Sequence, residues 1–268
     1  MKKGKKSSFV SLVKCDVLQG IINYWYYYAI ALVVVFFAMS DYRISVINGS
    51  DGISFTFMDC IKAFFMGVED SVDNSSYQFP TIFMSYLLIP FIVVSFYPAN
   101  DFLERAKIIF IRTGKRAMWW YSKCLWLVLG VMLYMMIFYL GLAVFTGMSG
   151  EMSFELLNGA DGVAMNFFDR ILQFIVLPIA TTIALGLGQM VISVAASPLF
   201  GVLVQIIQLT LSMLYISPFL PGNFYMYKRS SFFREDGVEM TTAFVVCLVI
   251  SLISIVIGKI IVEKKDIL

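Results

Sequence analysis

Six long apolar stretches, separated by polar segments, dominate the pattern of this chain. They cover residues 21–39, 79–97, 125–146, 171–194, 199–216 and 242–261, and Lys259 is the single formal charge within them. A bilayer core about 30 Å thick requires about 20 apolar residues in a helix. The pattern therefore predicts an all-α membrane protein with six transmembrane helices, forming a single transmembrane domain over residues 1–268.

The segment before the first apolar stretch has helical periodicity. Phe9, Leu12, Val13 and Val17 recur at helical spacing on one face, and Asp16 falls outside that face, on the polar side. This pattern predicts an interfacial entry helix within a cytoplasmic segment of residues 1–20. Lysines followed by an apolar run also resemble a secretory signal. The apolar core is too long for such a signal and no small-residue cleavage site follows it, so a retained helix is expected.

Charge in the intervening segments predicts the orientation, because Lys and Arg near span ends are retained in the cytoplasm. Residues 1–20 and 98–124 are predominantly basic, whereas residues 40–78 and 147–170 are predominantly acidic. Both termini are therefore predicted to be cytoplasmic. The tryptophans agree with this orientation, since all of them fall near the predicted inner ends of spans one and three, at the headgroup level that Trp favours: Trp25, Trp119, Trp120 and Trp126.

Composition restricts the chemistry of the chain. It is 60% hydrophobic and 14% charged, and it contains no histidine, which excludes intramembrane zinc proteases and histidine-dependent serine proteases. The interiors of the spans lack Asp and Glu, which argues against embedded acid–base catalysis and proton relays. No P-loop is present, the four cysteines fit no metal site, and we expect no catalytic residue, bound cofactor or nucleic-acid partner.

Residues 98–124 form the most distinctive segment between spans. Asn100 or Asp101 is predicted to cap a helix with apolar and charged faces, and Thr113-Gly114 then breaks it. Anchoring by the positive-inside rule is one explanation of its basic residues. An amphipathic helix, a turn, an aromatic pair and Lys123 at the membrane edge also indicate a docking surface.

With these features the chain resembles the permease subunits of ABC-2 type transporters, bacterial exporters with six spans and a separate ATPase. Glu104-Arg105, residues 112–116 and Lys123 are similar to that family's acidic residue, basic turn and downstream lysine. The resemblance implies an ABC-2 (type V exporter-like) architecture in which residues 100–112 are a coupling helix in a groove of the ATPase. The implied coupling residues are Phe102, Glu104, Arg105, Lys107, Arg112, Lys115 and Arg116.

A second unusual segment, residues 217–241, follows span five on the predicted outer side. Pro218, Pro221 and Gly222 interrupt the apolar pattern and are followed by aromatic residues. The resemblance implies a re-entrant segment that caps the exit path, with these three residues as an outer gate. An interfacial loop with its aromatic side chains against headgroups is the alternative interpretation.

Polar residues inside the spans are few and uncharged. Gln189, Gln205 and Gln208 are predicted to form interhelical hydrogen bonds, and Ala180, Ala184 and Gly188 form a face for close helix packing. The resemblance places the conduit between two permease subunits, along spans one, two and five. The candidate pathway residues are Tyr27, Gln205, Gln208, Phe219 and Phe224.

The expected function is ATP-driven export of an amphipathic or hydrophobic substrate, such as a peptide, bacteriocin, antibiotic or lipid-like molecule, across a bacterial plasma membrane. Expected partners are the bilayer, a second permease copy or a homologous permease, and two copies of an ABC ATPase, which would bind ATP and Mg²⁺. Two other classes stay open: a membrane-embedded sensor or assembly partner that transports nothing, and an ion-coupled secondary carrier.

Overall fold

Helices follow the apolar pattern along the chain of this computed structural model. The structure describes residues 9–49, 55–68, 80–104, 106, 110, 116–149, 152–156 and 165–265, with the backbone alone for residues 41–49 and 149. Its helices, in chain order, are α1 (Phe9–Ile22), α2 (Trp25–Gly49), α3 (Phe57–Phe64), α4 (Thr81–Glu104), α5 (Arg116–Ser149), α6 (Phe167–Ala195), α7 (Pro198–Leu214) and α8 (Met240–Lys264).

Within these residues, four helices are long and apolar enough to cross a membrane. They are α4, α5, α6 and α8, and the bent pair α1–α2 would make a fifth. Helix α7 is apolar but has 17 residues. An all-α membrane protein is thus confirmed, whereas the predicted count of six spans is not established by the helix lengths.

Helices α1 and α2 meet at a bend of 51° beside Asn23 and Tyr24. A helix is therefore present where the entry helix is predicted, and it extends to Ile22. It packs against α5, where Gly20 is close to the Trp126 indole, and a Cβ at Gly20 would overlap that ring. Glycine at this position lets the two helices approach closely.

Helix α6 lies at the centre of the bundle, in contact with α4, α5, α7 and α8. Its predicted small-residue face is used in this packing: Ala184 is fully buried, and Gly188 faces Ser254 of α8. Gln189 donates to the Phe91 carbonyl at 2.9 Å and to Ser95 Oγ at 2.6 Å, which joins α6 to α4. The prediction of an interhelical hydrogen bond from Gln189 is confirmed.

The predicted interhelical bonds of the other two glutamines are not seen. Gln205 donates to Gln208 Oε1 at 3.1 Å, and Gln208 donates to Ser212 Oγ at 3.3 Å, so both bonds lie within α7. The reason is spacing, because residues three and four positions apart are neighbours on one helix face. The amides therefore satisfy each other locally.

Two prolines inside helices free backbone carbonyls that tyrosines of α5 then occupy. Proline has no N–H, so the carbonyl four residues earlier loses its helical donor. Pro90 frees the Tyr86 carbonyl, which accepts from the Tyr134 hydroxyl at 2.7 Å. In α6 the corresponding carbonyl of Phe174, four residues before Pro178, accepts from the Tyr139 hydroxyl at 2.8 Å, next to a π-helical turn over Leu172–Val176.

These two bonds should contribute measurably to stability. We expect Tyr134→Phe and Tyr139→Phe each to lower the free energy of unfolding by about 1 kcal/mol, because each leaves a buried carbonyl without a donor. Unfolding of the detergent-solubilised protein by SDS would measure the loss. Tyr121→Phe, at a partly exposed tyrosine of α5, is the matched control; equal stability of all three variants would contradict this role.

Candidate functional site

A buried ion cluster joins three helices near the bend between α1 and α2. Lys123 of α5 is fully buried, and its ammonium lies 2.5 Å from Asp16 Oδ1 of α1 and 2.7 Å from Asp101 Oδ2 of α4. We call Asp16, Asp101 and Lys123 the ion triad. Because a buried charge is costly unless it is paired, these positions hold the three helices together.

Neighbouring side chains complete the polar contacts of the triad. Ser122 donates to Asp16 Oδ2 at 2.5 Å, Tyr97 donates to Asp16 Oδ1 at 3.1 Å, and the Trp119 indole donates to Asp101 Oδ2 at 2.8 Å. The Lys123 ammonium also lies 4.5 Å from the centre of the Tyr97 ring. The triad therefore lies in an aromatic surrounding that contributes hydrogen bonds and cation–π attraction.

The triad corrects three interpretations made from the sequence. Lys123 was expected at a docking surface on the membrane edge, but it is fully buried. Asp101 does not cap a new helix, because α4 continues through Pro98 to Glu104 and the Asp101 carboxylate binds Lys123 instead. Asp16 belongs to the buried face of α1 rather than to its polar face. Periodicity within one helix could not reveal a partner on another.

Three of the tryptophans are also buried in protein. Trp119, Trp120 and Trp126 are at most 2% exposed, whereas Trp25 is 66% exposed. Trp120 donates to the Ile255 carbonyl of α8 at 2.9 Å and lies against Gly258, where a Cβ would overlap the indole. Helix packing therefore covers these rings, and their depth relative to the headgroups stays a prediction.

Basic side chains close two helix ends beside the triad. Arg116 donates to the carbonyls of Glu263 and Lys265, both at 3.0 Å, at the end of α8. Lys265 donates to the carbonyls of Val194 and Ala195, at 2.6 and 3.1 Å, at the end of α6. Both side chains donate to carbonyls that have no intrahelical partner. Each also places a positive charge at the C-terminal end of a helix, where the helix dipole is negative.

The predicted coupling residues differ in their environments. Phe102 is buried against Trp119, with ring centres 5.3 Å apart, and Glu104 is exposed at the end of α4. Arg116 binds the end of α8, as described above. Arg105, Lys107, Arg112 and Lys115 lie outside the described residues. Two members of the ion triad, Asp101 and Lys123, therefore lie near the two ends of the predicted coupling segment, residues 98–124.

At the opposite end of the helices, two short 3₁₀ helices fill the segment predicted to be re-entrant. They cover Pro221–Tyr225 and Tyr227–Arg229, and Pro221, Gly222 and Phe224 are buried. Pro218 is exposed and Phe219 is 85% exposed. Most of the predicted gate is therefore packed into the protein, and the exposed part precedes the first 3₁₀ helix.

Sequence reasoning missed the central residue of this end. Arg229 is fully buried and donates to the carbonyls of Ser212, Met213 and Tyr215 at 2.6 to 2.8 Å, at the end of α7, and to Asn223 Oδ1 at 2.8 Å. Its Nε also donates to the Val68 carbonyl, 3.1 Å away. A basic residue two positions after the aromatic residue Tyr227 was the available signal in the sequence, but it resembled an ordinary solvated charge.

The remaining pathway candidates do not form a single site. Tyr27 packs against Tyr24, with ring centres 6.0 Å apart, near the bend between α1 and α2. Gln205 is buried, Gln208 is half-buried on α7, and Phe224 packs in a separate cluster with Leu177. Comparison with known proteins gives no further assignment, since no protein-family model and no curated protein matches the chain.

Breaking the ion triad should destabilise the protein in a graded way. Lys123→Met leaves two buried carboxylates without a cation, and we expect a loss of about 3–5 kcal/mol in the free energy of unfolding. Asp16→Asn leaves one carboxylate paired with Lys123, so its effect should be smaller. Thermal unfolding in detergent would measure both variants.

Lys259→Met is the matched control, because Lys259 is 41% exposed and 4.0 Å from Glu263. We expect it to change stability by less than about 1 kcal/mol, as for an exposed ion pair. If Lys123→Met matched this control, the triad would not hold the helices together.

Proposed function

We propose that this chain is the permease subunit of an ATP-driven exporter of the ABC-2 type. The observation that carries the proposal is the ion triad, which connects the end of α4 and the beginning of α5 to α1. Residues 105–115 join these two helices along the chain. A force applied to this connecting segment would therefore act on three helices at once.

The contacts around the triad extend this connection to the rest of the bundle. Arg116 binds the end of α8, and Lys265 binds the end of α6 and lies 5.7 Å from the Phe102 ring. Helices whose ends are fixed to each other move as a rigid body rather than singly. This arrangement suits a coupling segment that passes the closure of a partner ATPase to the membrane helices.

The helices also support a six-span topology with both termini in the cytoplasm. The bent pair α1–α2 and the 17-residue α7 join the four longer helices to make six. A span requires at least about 17 residues. The basic segments then lie at the end that holds the ion triad, and the acidic segments lie at the end that holds Arg229.

In this proposal two permease copies, or one copy and a homologous permease, enclose the conduit, and two ATPase subunits bind ATP and Mg²⁺. The described faces of α2 and α7 carry large exposed apolar side chains, including Phe36, Phe37 and Leu203. Such faces suit an amphipathic or hydrophobic cargo, and a peptide, bacteriocin or antibiotic is the proposed class. The membrane would be a bacterial plasma membrane.

Charge reversal in the coupling segment tests the proposal. Arg105→Glu together with Lys107→Glu should abolish co-purification with an ABC ATPase encoded by the neighbouring reading frame, because both cations are proposed to pair with carboxylates of that subunit. Arg234→Glu, at an exposed arginine near the other end of the molecule, is the control and should leave assembly intact. Unchanged assembly and transport in the double variant would refute the coupling role.

Thiol labelling tests the orientation independently. Cys15 is exposed, whereas Cys60 is buried in α3, and burial raises the pKa of its thiol to about 11. Since the thiolate is the reactive form, Cys60 should label slowly at pH 7–8 and faster only as the pH approaches 11.

Cys15 reports the side of the membrane. An impermeant maleimide should label Cys15 in inverted vesicles and not in intact cells, and Cys15→Ser should remove the signal. Labelling of Cys15 in intact cells would contradict the proposed orientation.

A further inference from the structure

A polar cavity of about 310 Å³ opens beside the ion triad, where the bend between α1 and α2 faces the end of α4. Its lining includes two carboxylates, Asp101 and Glu104, and two tyrosines of the bend, Tyr24 and Tyr26. The Asn100 amide is a further polar group in the wall. The cavity therefore combines acidic and aromatic groups beside the triad.

Among the described residues, the charges of the triad and of the cavity wall do not balance. The ion triad contains two carboxylates and one ammonium, and its sum is one negative charge. Glu104 adds a second negative charge at the rim. A buried carboxylate in excess over its cations favours an additional cation, because the protein interior screens charge poorly.

Asp101 places part of this excess negative charge in the wall of the cavity. The side chain is 5% exposed, and its Oδ2 oxygen receives both the Lys123 ammonium and the Trp119 indole N–H. None of the described residues donates a hydrogen bond to the second oxygen, Oδ1. An ionised carboxylate carries negative charge on both oxygens, so this oxygen is available to a cation or to a donor in the cavity that the side chain lines.

The aromatic walls restrict the kind of cation. The Tyr24 ring lies 6.0 Å from the Tyr97 ring in an edge-on arrangement and 6.4 Å from the Tyr26 ring. Aromatic faces beside a carboxylate attract alkylammonium groups through cation–π interactions. Among the described residues no group of three metal-ligating side chains is found, so the chemistry favours an organic cation over a metal ion.

We propose that this cavity binds an organic ammonium group. The Asp101 Oδ1 oxygen and Glu104 supply the countercharge, and Tyr24 and Tyr26 supply aromatic faces. The ammonium belongs either to the headgroup of an amine phospholipid or to a soluble amine. Glu104 is also one of the expected coupling residues, but this site goes beyond the proposed exporter function, because ligand binding is measured on the chain itself without an ATPase.

Binding of tetramethylammonium tests whether the cavity binds an ammonium group, which lipid headgroups and soluble amines have in common. The protein in phosphatidylglycerol nanodiscs would be titrated with tetramethylammonium chloride, and tryptophan fluorescence would report binding through Trp119, which is bonded to Asp101. Choline chloride should behave in the same way, and sodium chloride should not. A saturable change that is specific to the ammonium salts is the expected result.

Variants on the rim avoid the cost of disturbing the triad. Glu104→Gln and Tyr26→Leu should each weaken tetramethylammonium binding about two- to fivefold, the effect of one cation–π or carboxylate contact at a partly exposed site. Tyr121→Leu and Glu263→Gln are matched controls, because Tyr121 is 41% exposed against 43% for Tyr26 and the Glu263 side chain is also exposed. Both controls should bind as the unmodified chain does.

Lipid retention distinguishes the two sources of the ammonium. Native mass spectrometry from nanodiscs that contain equal amounts of phosphatidylethanolamine and phosphatidylglycerol would count the retained lipids. Preferential retention of phosphatidylethanolamine, lost in Glu104→Gln, identifies a lipid headgroup, whereas saturable tetramethylammonium binding without that preference identifies a soluble amine. The proposal is overturned if neither ligand binds, or if the rim variants bind as the controls do.

Discussion

The fold depends most on the burial of one ammonium group, that of Lys123, between carboxylates from two other helices. The charge is fully removed from solvent, and its partners lie on α1 and α4. Isolated, each of these three charges would cost several kcal/mol to bury, so the helices are stable in this position only together. The bend between α1 and α2, the end of α4 and the beginning of α5 are therefore placed by a single electrostatic requirement.

A related constraint applies to the backbone. In a bilayer a carbonyl without a donor is costly, because no water replaces the lost hydrogen bond. In this chain, side chains supply the missing donors. Tyr134 and Tyr139 donate to carbonyls freed by prolines, and Arg229 donates to carbonyls at the end of α7. Prolines can then bend or loosen the helices without exposing unsatisfied polar groups to lipid.

The two ends of the molecule are consequently built for different tasks. At the triad end, charged groups connect α1, α4 and α5, while Arg116 and Lys265 close α8 and α6, and this suits a surface that receives mechanical force. At the other end, Arg229 fixes two short 3₁₀ helices against α7. The permease proposed for this chain would need both features, since its inner end would respond to a motor and its outer end would close over the path.

The sequence alone determined the membrane class, the entry helix and the approximate position of each apolar helix, because these follow from hydrophobicity and from period within one segment. It also indicated the close-packed face at Ala184 and the interhelical bond of Gln189. It did not reveal that Asp16, Asp101 and Lys123 meet, that three tryptophans are buried, or that Arg229 closes α7. Each of these depends on which side chains different helices bring together, and a pattern along one helix contains no information about the charge that faces it from another. The tertiary structure decided that pairing. Because a lone buried charge is costly, the helices pack so that Asp16, Asp101 and Lys123 meet.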